Sequence, residues 1–382
     1  MIVIALISAV IWTYLIIARG SFWRSEVIDE PVVEALAHDW PPVVAIVPAR
    51  NENDVIARSI TSLLMQDYAG SFSVVLVDDN SSDGTQREAR MSAEAIGAGD
   101  RLSILGAAPL PREWTGKLWA LSQGIEAASA AAPVYYWLTD ADIAYTPDAL
   151  RTMVMRAQKN DLASVSLMAQ LRCESFAERM LIPAFIFFFQ MLYPFRWVNH
   201  PGSTTAAAAG GCTLVRRAAL EHIGGIGAIR GALIDDCTLA ARLKRSGGKI
   251  WLGLTRRAES IRVYDHFNDI RHMVARSAYA QLRYSPVLLL GTLIGMAVVY
   301  VAPPAIVLLG APIARYVALI TWVSMALTFM PILRFYSVSW LWAPFLPVIA
   351  GCYMGFTLDS ALQHMAGRGG LWKGRVQAPR DA

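Results

Sequence analysis

The sequence contains few charged residues for its length, which limits how much of the folded chain can face water. Of its 382 residues, 17% are charged and 55% are hydrophobic, whereas roughly 25% of an average soluble chain is charged. The hydrophobic residues collect at the beginning of the chain and in its final part. This distribution predicts membrane segments on both sides of a water-soluble centre.

Cysteine pairs, basic runs and phosphate-binding loops are also missing. No two of the four cysteines have Cys-x-x-Cys spacing, and no histidine lies at zinc-ligand spacing from one, so we expect buried thiols in a reducing compartment. No Lys/Arg run reaches five residues, and the net charge is only +4. This charge pattern excludes an obvious nucleic-acid partner and suits the cytosolic side of an anionic membrane. There is no Walker A motif, and the glycine-rich stretch 224–227 does not follow a clear strand.

An apolar run over residues 2–18 predicts an N-terminal transmembrane anchor within residues 1–20. A cleaved signal peptide is the alternative, but it requires a basic segment before the apolar run and a small-residue cleavage site after it, and neither is evident. Arg19 and Arg24 follow the run instead. They predict that the next domain lies on the cytosolic side.

Short apolar runs alternate with amphipathic stretches from residue 42 to about residue 172. The runs predict strands over 43–47, 74–77, 102–105 and 134–138, with helices between them. Such alternation is typical of an α/β fold with a mostly parallel sheet and helices on both faces. Ligands of these sheets bind beyond the carboxyl ends of the strands, which is where chemical groups should be sought.

Apolar stretches in the final part predict C-terminal transmembrane helices within residues 286–362, over 286–309, 316–333 and 340–362. Another stretch, 181–197, is aromatic but short, and we expect it to form an interfacial helix.

The tail, residues 363–382, is basic through Arg368, Lys373, Arg375 and Arg380, which favours a cytosolic location. Three crossings from a cytosolic domain would instead leave the tail outside. The number of crossings therefore stays open: one segment could be re-entrant, or Pro303 and Pro304 could divide the first helix.

Two carboxylates, Asp140 and Asp142, follow the fourth predicted strand with one residue between them. On an extended segment such a pair can share one hard cation, Mg²⁺ or Mn²⁺, which bridges the phosphates of a nucleotide diphosphate. The alternative is a helix-capping turn before Pro147.

Three other predicted strand or helix ends carry polar groups. Asp78 and Asp79 end the second strand, where a carboxylate can accept a hydrogen bond from a base or a ribose hydroxyl, although a simple turn would use them too. Lys117 begins a helix, where a cation opposes the helix dipole, so phosphate or base oxygens are better partners. Arg50 could contact the nucleotide or pair with Glu52 on the surface.

These segments resemble the inverting family-two glycosyltransferases, which share the nucleotide-sugar-binding GT-A type of α/β fold. The similarity lies in residues 44–52, 77–85, 116–117 and 139–142, and extends over about residues 42–285. It implies a nucleotide-diphosphate sugar as donor and nucleotide contacts from Pro48, Ala49, Arg50, Glu52, Asp79 and Lys117. It also implies that Asp140 contacts the ribose or diphosphate and that Asp142 binds the metal.

Asp235 and Asp236 precede a predicted helix and are similar to the acidic motif that holds the family's catalytic base. Asp236 matches the base position, with Asp235 as the fallback, and a capped helix N-terminus is the alternative. Gln281, Arg283 and Tyr284 resemble the Gln-x-x-Arg-Trp motif, with altered spacing and a different final aromatic residue. The resemblance implies diphosphate or acceptor contacts for these three. The alternative is a membrane-proximal helix whose arginine reaches lipid headgroups.

The whole chain is similar to the bacterial hopanoid-associated glycosyltransferases, through segments 173–179, 209–212, 231–236 and 282–286. That similarity implies a lipid acceptor in the bacterial cytoplasmic membrane and a catalytic domain facing the cytosol, with a uridine diphosphate sugar as the expected donor. A processive polysaccharide synthase and a non-catalytic membrane scaffold remain the alternatives. The sugar, the lipid and the oligomeric state stay open.

Overall fold

The computed structural model describes residues 1–26, 40–372 and 375–376. These residues divide into two compact units. The α/β unit contains residues 40–171 and 197–262, and the helical unit contains residues 1–26, 172–196 and the described residues from 263 onward. Two of the basic tail residues, Lys373 and Arg380, lie outside the described residues.

The α/β unit is built on one sheet of eight strands in the order β3-β2-β1-β4-β7-β6-β8-β5. In chain order the strands are β1 Val43–Ala49, β2 Phe72–Asp78, β3 Leu102–Gly106, β4 Tyr135–Thr139, β5 Ile143–Tyr145, β6 Ser164–Gln170, β7 Cys212–Arg216 and β8 Ile250–Ser260. Every residue of β1 is buried, as expected for a strand covered on both faces.

The predicted α/β class is confirmed, and the sheet is mixed. The four strands predicted from sequence, β1 to β4, pair in parallel, and β6 pairs in parallel with β8. The remaining neighbours, β4 with β7, β7 with β6 and β8 with β5, are antiparallel. The carboxyl ends of β1, β2, β4, β6 and β8 and the amino ends of β5 and β7 therefore lie at one edge of the sheet.

Helices cover both faces of this sheet. In chain order the α-helices of the unit are Ile56–Leu64, Thr85–Ala95, Gly116–Ala128, Ala149–Lys159, Arg217–His222 and Asp235–Arg245, and Phe195–Asn199 runs across the unit boundary. Helices Ile56–Leu64 and Ala149–Lys159 share a core with alternate residues of β1. On the opposite face, Gly124 approaches so closely that a Cβ there would lie 2.5 Å from Ile46 Cγ2 and 2.9 Å from Val77 Cγ2.

The helical unit contains three helices that are long and apolar enough to cross a membrane among the described residues: Pro286–Leu309, Pro312–Phe335 and Trp340–Met365. They coincide with the three predicted segments. The prolines at 303 and 304 do not divide the first helix, because a wide π-helical turn, Ala297–Val301, precedes them and accommodates the missing hydrogen bonds. The N-terminal helix, Ile2–Ile17, has 16 residues, or about 24 Å, which is shorter than the roughly 30 Å hydrocarbon core of a bilayer.

The predicted interfacial segment, 181–197, is shifted relative to the helix that forms, Phe176–Leu192, which begins earlier, continues through Pro183 and ends before Tyr193. Ser175 and Glu178 form a capping box at its beginning. The fully buried carboxylate of Glu178 also accepts hydrogen bonds from the backbone N–H groups of Glu174 and Tyr264 and pairs with Arg172. Other α-helices of the unit are Phe267–Ala275 and Ala278–Gln281, and residues Leu371–Trp372 pair with Arg375–Val376.

All four cysteines are free thiols, as predicted, but only Cys212 and Cys237 are buried as expected, whereas Cys173 and Cys352 are half-buried.

Candidate active site

The ends of β1 and β2 bring together the first group of predicted nucleotide-binding residues. Pro48 and Ala49 lie at the end of β1, and the N–H of Asp79 donates to the carbonyl of Ala49 at 2.8 Å. Arg50 pairs with Asp79 at 3.7 Å, and both side chains are largely buried. Glu52, the surface partner of Arg50 considered from sequence, is buried.

Glu52 is buried and connects this loop to the loop after β2. Its backbone N–H donates to Thr85 Oγ1 at 2.9 Å. The neighbouring Asn51 has a left-handed φ of 51° and accepts a hydrogen bond from the N–H of Ser82 at 2.9 Å. Asparagine tolerates this conformation better than most residues. Because these two hydrogen bonds join the loop after β1 to the loop after β2, the two loops form one surface at the edge of the sheet.

Lys117 joins carboxylates from two distant parts of the chain. Its Nζ lies 2.8 Å from Asp140 Oδ1 and 3.3 Å from Asp235 Oδ2. Thr115 caps the start of its helix by accepting from the N–H of Leu118. Burial would lower the pKa of Lys117, but Asp140 and Asp235 outweigh burial and raise it well above the ordinary lysine value. The ammonium therefore stays charged.

Asp140 and Asp142 differ in their partners. Burial, opposed by Lys117 and reinforced by the charge of Asp142, raises the pKa of Asp140. Asp142 Oδ2 accepts a hydrogen bond from Arg262 Nε at 2.6 Å. The same guanidinium pairs with Glu52. Burial would lower the pKa of Arg262, but the two carboxylates raise it well above its usual range.

Arg262 was not predicted from the sequence as a site residue. It lies just beyond β8, whose partner β5 begins at Ile143, and the N–H of Ile261 donates to the carbonyl of Asp142 at 2.9 Å. Because β5 and β8 were not predicted, nothing marked Arg262 as a strand-end residue. If β8 had been predicted, the position of Arg262 two residues after the strand would have marked it as a candidate site residue.

Asp236 lies in the first turn of helix Asp235–Arg245, whose N-cap is Ile234 without a side-chain cap, so neither aspartate caps the helix as the alternative from sequence supposed. Its Oδ1 accepts from the N–H of Cys237 at 2.7 Å. Burial, together with the neighbouring charge of Asp235, raises the pKa of Asp236 to about 6. A Cβ on Gly210 would lie 3.3 Å from both Asp236 Oδ2 and Lys117 Nζ, so the glycine leaves room for these two groups to share one space.

These charged groups line one cavity with a partly apolar wall. Its charged members are Lys117, Asp140, Asp235 and Asp236, and the apolar wall and remaining lining come from Leu118, Leu121, Leu138, Thr139, Gly210, Thr213, Ile226, Ile229 and Leu239. A carboxylate able to take a proton and an ammonium able to hold an anion therefore face the same volume.

The Asp140 and Asp142 pair fits a hard divalent cation whose remaining ligands come from a bound diphosphate. Within residues 1–26 and 40–372, no group of three or more His, Cys, Asp or Glu side chains could hold a metal by itself. Magnesium commonly binds through one or two carboxylates plus substrate phosphates, so two carboxylates that are close enough to repel each other are a sufficient protein contribution.

The predicted acceptor residues Gln281, Arg283 and Tyr284 belong to the helical unit. Gln281 Nε2 donates to the hydroxyl of Tyr193 at 2.5 Å. Arg283 and Tyr284 both have left-handed φ values, 53° and 55°, which is a strained arrangement for two consecutive non-glycine residues. Tyr284 stacks on His364 with ring centroids 4.3 Å apart, and Arg283 is exposed.

Residues 44–224 match the family model described as Glycosyl transferase family 2. No curated protein matches the chain significantly in sequence. The mannosyltransferase PcManGT from Pyrobaculum calidifontis, solved in complex with GDP-Man and Mn²⁺, is 19% identical with a TM-score of 0.58, covering 94% of this chain and 99% of that chain. This likeness shows the GT-A fold.

The glucosyl-3-phosphoglycerate synthase of Mycobacterium tuberculosis, solved with Mn²⁺, UDP-glucose and glycerol 3-phosphate, is 18% identical. The similarity covers 64% of this chain and 79% of that chain, with a TM-score of 0.41. Staphylococcus aureus TarS is 15% identical over 62% of this chain and 40% of that chain, with a TM-score of 0.40. Scores this low carry no structural argument.

Proposed function

We propose that the protein is a membrane-bound inverting glycosyltransferase, on the premise that residues 44–224 form a family 2 glycosyl transferase domain. Its donor is a nucleotide-diphosphate sugar, a uridine diphosphate sugar in this proposal, and its acceptor is a lipid hydroxyl. The observation that carries the proposal is the convergence of Lys117, Asp140 and Asp236 around Gly210 at the carboxyl edge of the sheet.

In this proposal the nucleotide binds along the first two strand ends. Ala49, Arg50 and Asp79 present backbone and side-chain polar groups there, and Pro48 and Glu52 complete the loop. Lys117 and Asp140 contact the diphosphate and ribose. Lys117 is suited to this role because its charge persists at neutral pH and its ammonium is held by carboxylates from both sides.

Asp142 and Asp140 would hold Mg²⁺ or Mn²⁺, which, when bound, offsets the negative charge that accumulates on the leaving diphosphate. In this proposal Arg262, whose Nε donates to Asp142 Oδ2, competes with the cation for that carboxylate. The chain itself thus keeps the carboxylate neutralised until the cation and the donor arrive.

Asp236 acts as the general base. Its carboxylate takes the proton of the acceptor hydroxyl while the hydroxyl oxygen attacks the anomeric carbon. The new glycosidic bond forms as the bond from the anomeric carbon to the diphosphate oxygen breaks, and the bonding electrons leave with the nucleoside diphosphate. One displacement inverts the anomeric configuration. Asp235 is less suited to this role because its carboxylate pairs with Lys117.

The acceptor is proposed to be a membrane lipid, a polycyclic triterpenoid of the hopanoid class. The three long apolar helices support a membrane location, and the sequence similarity to hopanoid-associated enzymes supports the lipid class. Gln281, Arg283 and Tyr284 remain candidates for acceptor contacts. The proposed location is the bacterial cytoplasmic membrane, with the α/β unit facing the cytosol.

The proposal is tested by deleting the gene in its host and profiling the membrane lipids by mass spectrometry. Loss of one glycosylated lipid, restored by the wild-type gene but not by an Asp236→Asn gene, is the expected result. Loss of a polysaccharide instead would support a processive synthase. An unchanged profile, together with no metal-dependent turnover of UDP-sugars by the purified protein, would support a non-catalytic scaffold.

A further inference from the structure

The first two apolar helices form an antiparallel hairpin. Ile306, near the end of the first helix, packs in one cluster with Ala314 and Ala318 at the beginning of the second. Only residues 310 and 311 separate the two helices. The first helix has 24 residues, about 36 Å, which is enough to cross a hydrocarbon core of roughly 30 Å.

The second half of helix Trp340–Met365 packs on the chain that precedes the first apolar helix. Phe356 contacts Phe267 with ring centroids 5.2 Å apart, and Asp359 pairs with Arg271 at 2.7 Å. Ser360, four residues after Phe356, accepts a hydrogen bond through Oγ from the N–H of Tyr279 at 3.0 Å. These contacts lie at the spacing of one helix face, so the two segments run beside each other over several turns.

The end of the third helix therefore returns to the level at which the first helix begins. His364, in its last turn, stacks on Tyr284, which precedes Pro286 by two residues. If the first helix crosses the bilayer, Tyr284 and the hairpin turn lie on opposite faces. Because His364 lies beside Tyr284, the chain between these two residues must then cross the membrane an even number of times.

The beginning of the third helix lies beside the middle of the second. Trp322 Nε1, ten residues into helix Pro312–Phe335, donates to the carbonyl of Pro344 at 2.9 Å. The segment around Pro344 is rich in aromatic residues, and Trp340 and Phe345 are 63% and 53% exposed. If helix Pro312–Phe335 crosses the bilayer, its middle lies near the bilayer centre, so the third helix begins inside the hydrocarbon core and not on the far side of the membrane.

We propose that helix Trp340–Met365 does not cross the membrane but enters and leaves the same leaflet, so that Arg368 lies on the same side as Tyr284. Its exposed apolar side chains contact the acyl chains of that leaflet, while Asp359 and His364 remain with the polar segment outside the core. A charged Asp359 would be unfavourable in hydrocarbon, and it pairs instead with Arg271 of the segment outside the core.

This topology removes the conflict between the basic tail and the number of hydrophobic segments. Two crossings by the hairpin return the chain to its starting side, which the positive-inside rule favours for Arg368. The inference requires that the helical unit enters a membrane, and it does not depend on the transfer reaction.

The test uses the full-length protein in intact Gram-negative cells, with one added cysteine per variant and a membrane-impermeant maleimide. Ala311→Cys in the hairpin turn should be labelled in intact cells. Ser337→Cys and Arg368→Cys flank the third helix and are exposed in the structure. Both should be labelled only after the cytoplasmic membrane is permeabilised. The unmodified chain controls for labelling of its own four cysteines.

The outcomes separate the topologies. Labelling of Arg368→Cys in intact cells, with Ser337→Cys protected, means that the third helix crosses, and it overturns the proposal. Protection of Ala311→Cys in intact cells means that the hairpin does not cross, which also overturns it. Each variant is first shown to resist carbonate extraction from membranes and to retain the parent's thermal transition in detergent, so that misfolded chains are not counted.

Discussion

Asp235 and Asp236 are adjacent in sequence, but their carboxylates meet different surroundings. Asp235 is held by Lys117, whereas Asp236 faces the cavity beside Gly210. We expect Asp236→Asn to lower kcat by about 10²–10⁴-fold, because the proton acceptor is lost while the shape is kept. Donor affinity, measured by calorimetry with the nucleoside diphosphate, should change little. If Asp235→Asn abolishes turnover while Asp236→Asn retains it, the base is Asp235.

The raised pKa of Asp236 gives the reaction an acid limit. A base acts only when deprotonated, so kcat/KM should fall as the pH drops through about 6, the pKa of Asp236. The charge of Lys117 lowers that pKa. Lys117→Met should therefore move the acid limb to higher pH, in addition to weakening donor binding. A pH profile whose acid limb does not move would show that another group controls it.

In the proposed mechanism, Arg262 competes with a cation for Asp142. We expect Arg262→Gln to tighten Mn²⁺ binding without nucleotide by about tenfold, or ~1.4 kcal/mol, as followed by the electron paramagnetic resonance signal of free Mn²⁺. Arg257→Gln is the matched control, because Arg257 lies on β8, the strand that Arg262 follows, and pairs with Asp148 at 2.8 Å. Equal effects of the two substitutions would indicate a general loss of positive charge.

For individual side chains, the sequence predicted which acidic and basic residues lie at strand ends, but it did not predict which of them form ion pairs. The contact of Lys117 with Asp235 joins residues more than a hundred positions apart, and that depends on how the strands are ordered in the sheet. Arg262 lacked any local signal because its role follows from the pairing of β8 with β5.

Among the secondary-structure elements, helix Phe176–Leu192 shows how one buried carboxylate fixes a helix start. Backbone N–H groups and Arg172 outweigh the effect of burial and lower the pKa of Glu178. The ionised form is therefore favoured in the folded state. Its stabilisation is fully present above the unfolded-state pKa of about 4.3 and is lost as the pH falls through the lower folded-state pKa.

We expect Glu178→Gln to destabilise the helical unit by roughly 3 kcal/mol, because it leaves Arg172 and several N–H groups without their charged acceptor. Thermal unfolding of the purified protein in detergent, followed by circular dichroism, measures the change. Glu174→Gln is the control, since Glu174 also pairs with Arg172 but its side chain is 71% exposed. A similar loss in both variants would assign the effect to Arg172 alone.

The elements with clear periodicity were predicted well, and the others were not. Strands β1 to β4 are continuous apolar runs of the kind that buried parallel strands require. Strands β5 to β8 were not predicted: β8 alternates and contains adjacent arginines, and β5 has only three residues. Their formation depends on partners distant in sequence.

At the scale of the whole molecule, hydropathy predicted three apolar helices but could not assign crossings to them. Length and composition are similar for a helix that spans a bilayer and one that lies within a leaflet. The difference arises from contacts such as Tyr284 with His364, which no local window contains.

The combination of an α/β unit with apolar helices predicts a reaction that depends on lipid. We expect the purified protein in nanodiscs made from host lipids to transfer sugar to a lipid. In lipid-free detergent the same protein should only hydrolyse the donor slowly, because the acceptor is absent. Thin-layer chromatography of products from radiolabelled donor measures both. Equal transfer to a water-soluble acceptor in detergent would contradict a membrane acceptor.

The close approach of Gly124 to the sheet has a consequence for genetics. Gly124 lies seven residues after Lys117 in one helix, and any side chain there must push the helix away from Ile46 and Val77. Such a shift carries Lys117 away from Asp140 without altering an ionisable group. In a screen for loss-of-function alleles, substitutions of Gly124 should therefore appear beside those of the charged residues, although the side chains nearest to Gly124 are aliphatic.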